Sequence, residues 1–326
     1  MDGLVLRPYA GREDVPAIVE VINAEWEHDR LPSRVTVAEK TAEYAHASDM
    51  FDARRDLTIA EFDGRAVGYG VRGWFDVTDS ELRQYRVDGS VHPAWRRRGI
   101  GRTLLRENMR LAEQLASGHQ TQRGRAFGSQ SHEHQAGDDA LLYGAGFKPA
   151  RYFFDMLRPT LDEVPVVPLP AGLEVRPATA ADARAVWLAD VDSFRDHWGG
   201  YDESDESFQR FVDAPEFDPS LWVVAWDQDE VAGGVINGIY PEENESLGVS
   251  RGWLDSVFTR RPWRRRGLAR ALIARSLVLL RERGMTGAML GVDAANATGA
   301  LGLYENVGFQ VEHRSTAWRK PFEVRP

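Results

Sequence analysis

Apolar positions along the chain follow two periods, and they do so twice in nearly the same order. Each half opens on a short strand pattern closed by Arg-Pro, Leu4-Val5-Leu6-Arg7-Pro8 in the first and Leu173-Glu174-Val175-Arg176-Pro177 in the second. A helical spacing follows, with Val15, Ile18, Val19 and Ile22 in one half and Val186-Trp187-Leu188 in the other. Asp14 and Asp182 stand ahead of these runs, where a carboxylate caps or favourably charges a helix start. Polar segments rich in charge and aromatics come next, residues 25–56 and 192–219. The two-residue period then returns as hairpins. Residues 57–62 turn at Asp63-Gly64 into residues 66–71, and residues 221–226 turn over residues 227–230 into residues 231–236. Asp-Gly between alternating apolar residues is a strong hairpin signal. Glycines interrupt both return strands, at Gly68 and at Gly233-Gly234, which predicts a bulge or a close backbone approach.

After each hairpin the pattern predicts a strand, a basic loop and a helix. In the second half, residues 254–273 read LDSVFTRRPWRRRGLARALI. Val257 and Phe258 form a short apolar strand, Pro262-Trp263 a corner, and Leu268, Leu272, Ser276 and Leu279 one face of a helix. An offset of 168 residues lays Trp95, Arg96, Arg97, Arg98 and Gly99 on Trp263, Arg264, Arg265, Arg266 and Gly267, and then Arg102 and Leu104 on Arg270 and Leu272. Seven identities in the ten positions 95–104 indicate an internal duplication. In both copies the amides of the loop and of the first helical turn lack intrahelical partners and sit at the positive end of the helix dipole, so an anion is the natural ligand.

Composition narrows the class. A chain of 326 residues predicts two domains, each long enough to bury its own core, in agreement with the offset. Pro159, Pro165, Pro168 and Pro170 mark a stiff connection. The expected division is therefore a first domain over 1–158, a linker over 159–172 and a second domain over 173–326. The absence of cysteine excludes disulfides, thiolate zinc sites and a cysteine nucleophile. The opening MDGLVLRPYA lacks a basic n-region, and no apolar run approaches the ~20 residues of a membrane span, so a cytoplasmic protein without membrane contacts is expected. Net charge of −10 argues against a general affinity for nucleic acid. His132, Glu133 and His134 carry metal-binding side chains, but histidines at i and i+2 do not converge on one helix face. A solvated loop and no metal site are expected there.

Val91-His92-Pro93 followed by Arg96-x-x-Gly99-x-Gly101 resembles motif A of the GNAT superfamily of acyl-CoA-dependent N-acyltransferases. The second copy, Thr259-Arg260-Arg261 then Arg264-x-x-Gly267-x-Ala269, is similar but lacks the proline. Later in the second half, Asn296, Ala300, Leu303-Tyr304 and Gly308-Phe309 resemble motif B, with one residue more than usual between Asn296 and Tyr304. The resemblance spans nearly the whole chain. It implies an α/β (α+β) fold of two tandem GNAT domains, each a mixed, mostly antiparallel sheet flanked by helices with a splayed central strand pair. It further implies acetyl-CoA as cosubstrate and the primary amine of a small molecule or peptide as acceptor, in a monomer or homodimer.

Carried over residue by residue, the resemblance assigns cofactor binding in the second half to Val257, Phe258, Thr259, Arg264, Arg265, Arg266, Gly267, Leu268, Ala269, Arg270 and Asn296. In the first half it assigns Gly89, Ser90, Val91, Arg96, Arg97, Arg98, Gly99, Ile100, Gly101 and Arg102. Tyr304 would protonate the leaving thiolate. Asp255 and Asp293 are the candidate bases, because each lies on a strand that would line the cleft; neither is at the places where glutamate is commonest in the family, which hold Trp253 and Gly291. In the first half, registering Gly146 on Gly308 puts Leu142 in the tyrosine position and Tyr143 one step, about 100° of helix rotation, away. The second half is therefore the expected active half. The alternative is a CoA-responsive binding or regulatory protein without turnover.

Overall fold

The computed structural model describes residues 3–77, 80–195, 198–199, 202–295 and 299–324. They form two compact units, one taking residues up to Arg151 together with those from Ser315 onward, the other Tyr152–Arg314. In the first, β1 (Leu4–Pro8), α1 (Val15–His28), α2 (Val37–Ala45) and α3 (Ala53–Asp56) lead into β2 (Leu57–Phe62), β3 (Arg65–Asp76) and β4 (Leu82–Val91). Next come α4 (Ile100–Ser117), β5 (Gly124–His132), α5 (Ala136–Gly144) and the start of β6 (Lys148–Arg158). The second unit repeats the plan with β7 (Glu174–Pro177), α6 (Ala183–Phe194), α7 (Asp205–Val212), β8 (Val223–Asp227) and β9 (Glu230–Gly238). It continues through α8 (Pro241–Leu247), β10 (Arg251–Thr259), α9 (Leu268–Glu282), β11 (Gly287–Asp293), α10 (Ala300–Glu305) and β12 (Gln310–Phe322). Among the described residues, no helix is long and apolar enough to cross a membrane.

Each unit has the expected mixed sheet. Strands β1 to β4 pair in antiparallel succession, as do β7 to β10, whereas β4 with β5 and β10 with β11 are parallel. The last strand of each sheet departs from the division expected at residue 158. Residues 153–158 of β6 pair with β11 inside the second unit, and Ser315 to Phe322 of β12 pair with β5 inside the first. Side-chain alternation fits this arrangement. Met156 is buried in the second core with Leu290 and Val292, and Trp318 in the first with Phe127 and Tyr85. The proline-rich stretch is extended but packed. Leu161 is buried, its N–H reaches Thr286 O at 3.0 Å, and Arg275 and Arg281 donate to the carbonyls of Val167 and Leu161.

Local expectations meet specific physical causes. The first hairpin turns with Asp63 at φ 49° and Gly64 at φ 77°, the left-handed pair that Asp-Gly provides at little cost. Register shifts lie between Ala60 and Glu61 and between Ala225 and Trp226, opposite the glycine-bearing return strands. A Cβ on Gly233 would stand 2.7 Å from Phe258 O, so the glycine there serves close strand approach. Asp14 does not cap α1 with its side chain. Its carboxylate instead accepts from Arg7 at 2.6 and 2.8 Å and from the Ala10 N–H at 2.8 Å, which ties the first strand to the helix entry. Asp182 likewise bonds Thr179. The predicted face of α9 is the one buried, with Leu268, Leu272 and Ser276 inside and Leu279 packed at the edge.

Candidate active site

The two basic loops have one backbone geometry. Arg97 and Gly99 adopt φ 62° and 85°, and Arg265 and Gly267 φ 62° and 83°, so each loop enters its helix through two left-handed residues. The first helical bonds run from Thr103 N to Gly99 O and from Ala271 N to Gly267 O, which leaves the amides of the preceding residues directed out of the helix end. A Cβ at Gly99 or Gly267 would meet nothing within 4 Å. Open space, free amides and the helix dipole together fit the diphosphate of an acyl-CoA. Ile100 and Leu268 contribute amides only, because their side chains are buried in the two cores.

The arginines do not all face the loop as expected. Arg97, Arg98 and Arg102, and likewise Arg265, Arg266 and Arg270, are exposed. Arg96 instead turns toward α1, donating to both Asp29 oxygens at 2.7 and 2.6 Å and to Glu25 at 2.9 Å. Arg264 donates to the carbonyls of Thr259 and Ser193, both at 2.9 Å. These first arginines of the motif brace the loop against the helix behind it.

In the first unit a cavity of about 670 Å³ opens between the end of β4, with Gly89, Ser90 and Val91, and the start of α4. Glu25 lines it from α1, although the sequence pattern assigned this residue to a polar covering segment. It is 4% exposed. Burial, then the nearby Asp138, push its carboxyl up to about 7 against the opposing pull of Ser90 and Arg96. Burial likewise raises Asp138 to about 6. For Asp29 burial acts upward too, but hydrogen bonds from Arg96 and Gln135 outweigh it and hold the carboxyl below the ordinary value. Leu142 borders the cavity and is 4% exposed, while Tyr143 points away at 74%. His132 closes β5 instead of lying in a loop, and His134 follows in a turn; both border the cavity.

The second unit differs at its central strand. β4 pairs with β3 in unbroken register, whereas β10 slips against β9 between Leu254 and Ser256. Asp255 is the extra residue of that bulge, and a bulge re-aims the side chain it carries. Beyond Trp253 and Met289, β10 and β11 no longer pair, so the strand from Leu254 to Thr259 presents one splayed edge. Solvent reaches Asp255, yet protein encloses it at longer range. That burial raises its carboxyl to about 7, with Glu216 and Glu243 adding to the rise and a hydrogen bond from Tyr240 opposing it. At the corresponding place β4 has the buried Val87.

Tyr304 lies on α10, in the cluster that also holds Leu254, Leu268 and Leu272 and against which Val257 packs. It is 7% exposed, and its hydroxyl has no hydrogen-bond partner among the described residues. Burial raises its pKa to about 12. Asp293 accepts from Ala295 N at 2.9 Å and so closes a turn after β11. Trp253 donates its indole N–H to Glu243 at 2.9 Å. Asn296 lies outside the described residues. Sequence reasoning did not find Glu25, Tyr240 or Glu243, whose only signal was the acidic and aromatic character of the segments between motifs.

Family models agree with this geometry. Residues 185–309 match the acetyltransferase (GNAT) family model and residues 53–148 an acetyltransferase (GNAT) domain model. A mycothiol acetyltransferase of Salinispora arenicola is 33% identical over 261 residues, 78% of this chain and 77% of that protein. The chain belongs to the GNAT acetyltransferase family. Among solved structures, a GCN5-related N-acetyltransferase from Sphaerobacter thermophilus aligns with TM-score 0.71 and 25% identity over 100% of this chain and 97% of that one. A tandem GNAT protein from the clavulanic acid biosynthesis pathway aligns with TM-score 0.68 and 17% identity over 99% of both chains, a likeness of fold. Both halves of this GNAT protein therefore carry the family's loop, and they differ in the bulge and in the tyrosine.

Proposed function

We propose that the second unit moves an acetyl group from acetyl-CoA to a primary amine of a small molecule or peptide, by direct attack in a ternary complex. The observation that carries this reading is the hydroxyl of Tyr304, a nearly buried side chain beside the loop-bearing helix, which has no hydrogen-bond partner among the described residues. A phenol with a pKa of about 12 stays protonated through the neutral range and is a proton donor in waiting. Bound acetyl-CoA supplies an activated thioester. Asp255, with a carboxyl near neutrality, takes a proton from the arriving ammonium, directly or through water. The amine nitrogen then bonds to the acetyl carbon as the carbon–sulfur bond breaks, Tyr304 gives its proton to the sulfur, and the second proton that the nitrogen still carries leaves to solvent, from which the Tyr304 hydroxyl is restored. Backbone amides on the splayed edge of β10 are directed to stabilise charge on the acetyl oxygen.

Asp293 is the weaker of the two candidate bases, since its carboxylate is engaged in a turn. The first unit is better suited to holding acetyl-CoA without turnover: it has the loop and the cavity, but Leu142 where Tyr304 would stand. The amine of a mycothiol precursor is one candidate acceptor, suggested by the names of the relatives, beside aminoglycosides, polyamines, amino acids and peptide N-termini. An amine panel assayed by free-thiol release tests the proposal. Release with at least one amine, lost in Tyr304→Phe and Asp255→Asn, is expected. Acetyl-CoA binding without thiol release across the panel would make the protein a CoA-responsive binding module.

A further inference from the structure

Asp255 is the residue that the β10 bulge leaves outside the ladder, so the pairing with β9 does not aim its side chain. Something else must. β9 ends at Gly238, opposite Trp253, and two residues on Tyr240 begins the turn into α8. A Cβ on Gly238 would fall on the Asp255 Oδ2 atom, 2.8 Å from Tyr240 Cε2 and 3.0 Å from its hydroxyl oxygen. The carboxylate and the phenol therefore converge above the one position in this strand end that has no side chain. Their contact is a hydrogen bond in which the hydroxyl donates.

We propose that Tyr240 is a positioning residue for Asp255, holding the carboxylate by one oxygen and leaving the other for the acceptor's ammonium, with Gly238 providing the room. This rests on the reading of Asp255 as the base. A phenol has one proton to donate, so the pairing fixes orientation without consuming both acceptor oxygens. The titratable groups that face Asp255 are Tyr240, Glu216 and Glu243. Glu243 is itself held by the Trp253 indole and by Arg251 at 3.2 Å. Both glutamates disfavour the ionised form of Asp255, and Tyr240 is the group that favours it. Tyr240 thus keeps a carboxyl in an acidic surrounding from rising out of the range where it can accept a proton.

The test is a titration of the Asp255 carboxyl carbon by ¹³C NMR in the full chain, the resonance being the one lost in Asp255→Asn. In Tyr240→Phe, which keeps the ring, the midpoint should move up by about one pH unit, the scale of a lost hydrogen bond to a charged group. Gly238→Ala, which parts the pair without removing either member, should move it in the same direction. The acidic limb of kcat/KM for the best amine of the panel should follow the midpoint, with activity approaching wild type at high pH. An unmoved midpoint in Tyr240→Phe would overturn the pairing and leave Asp255 standing as base. A moved midpoint with an unmoved limb would overturn Asp255 as base.

Discussion

Replacing Tyr304 by phenylalanine separates the two tasks this side chain can perform. The ring packs edge-on against Phe309, with centroids 6.2 Å apart, and is part of the second core; phenylalanine keeps both. The hydroxyl bonds no described residue, so its removal sacrifices no hydrogen bond to them. Stability should therefore be unchanged or rise by up to about 1 kcal/mol, an increase in Tm of no more than about 3 °C. Catalysis should move the other way. The leaving thiolate has a pKa of about 8.5 and can depart unaided, but a positioned acid contributes ~10²-fold or more, about 2.7 kcal/mol of barrier. Because burial holds Tyr304 protonated up to about 12, the loss should be the same at every pH across the neutral range. The assay is free-thiol release under saturating amine, paired with thermal unfolding and with calorimetric acetyl-CoA affinity, which should not change. Tyr143→Phe is the control, and its kcat should stay within about twofold because that hydroxyl is out in solvent. A Tyr304→Phe enzyme with normal kcat and a Tm several degrees lower would refute the reasoning, since the hydroxyl would then be structural.

Gly267→Glu should weaken acetyl-CoA binding by well over tenfold in calorimetry, because bulk and negative charge enter the space in front of the helix amides; an unchanged affinity would reduce the motif to a turn. The φ of 83° adds about 1–2 kcal/mol of backbone strain to either Gly267→Glu or Gly267→Ala, so the alanine variant isolates the strain. Gly99→Glu should remove one of two acetyl-CoA binding events, and wild type titrating as a single site insensitive to this change would contradict a binding role for the first unit. Glu25 has a folded-state value of about 7 against an ordinary 4.5, so the folded chain binds more protons than the unfolded one between those values. Stability should accordingly fall as pH rises through that window, by on the order of 3 kcal/mol from this group. Glu25→Gln should flatten the dependence of the first unit's Tm between about pH 5 and 8, and an unaltered slope would place the proton elsewhere.

The parts of this protein that were legible in the sequence are those where backbone chemistry is written in residue type. Asp63-Gly64 can hardly be anything but a left-handed turn, and the repeat of Trp-Arg-Arg-Arg-Gly carries its loop geometry with it. The rotation of Tyr143 away from the place of Leu142 was legible too, because one residue on a helix is somewhat over a quarter of a turn; Leu142 is buried and Tyr143 exposed. The β10 bulge was not legible: Leu254-Asp255-Ser256 reads as ordinary alternation, and the slip depends on what β9 offers opposite. Nor was Glu25, since a carboxylate amid charged neighbours reads as surface until Arg96 and Asp138 are brought to it from 71 and 113 residues away. The division at residue 158 failed for a similar reason. Prolines mark where a chain is stiff, and they say nothing of which sheet a strand will join.

That last strand has a consequence for the order of events during synthesis. β5 waits for residues 315–322, and Trp318 and Phe322 fill the core beside Phe127 and Phe147. When β5 is made, residues 133–314 must follow before its partner strand appears. At typical elongation rates the edge of that sheet stays unpaired for roughly ten to thirty seconds, during which an apolar strand is open to wrong partners. The second unit, whose borrowed strand β6 is made before it, meets no such delay. The half assigned to turnover can thus fold as it emerges, and the half assigned to binding becomes whole only when residues 315–322 are added.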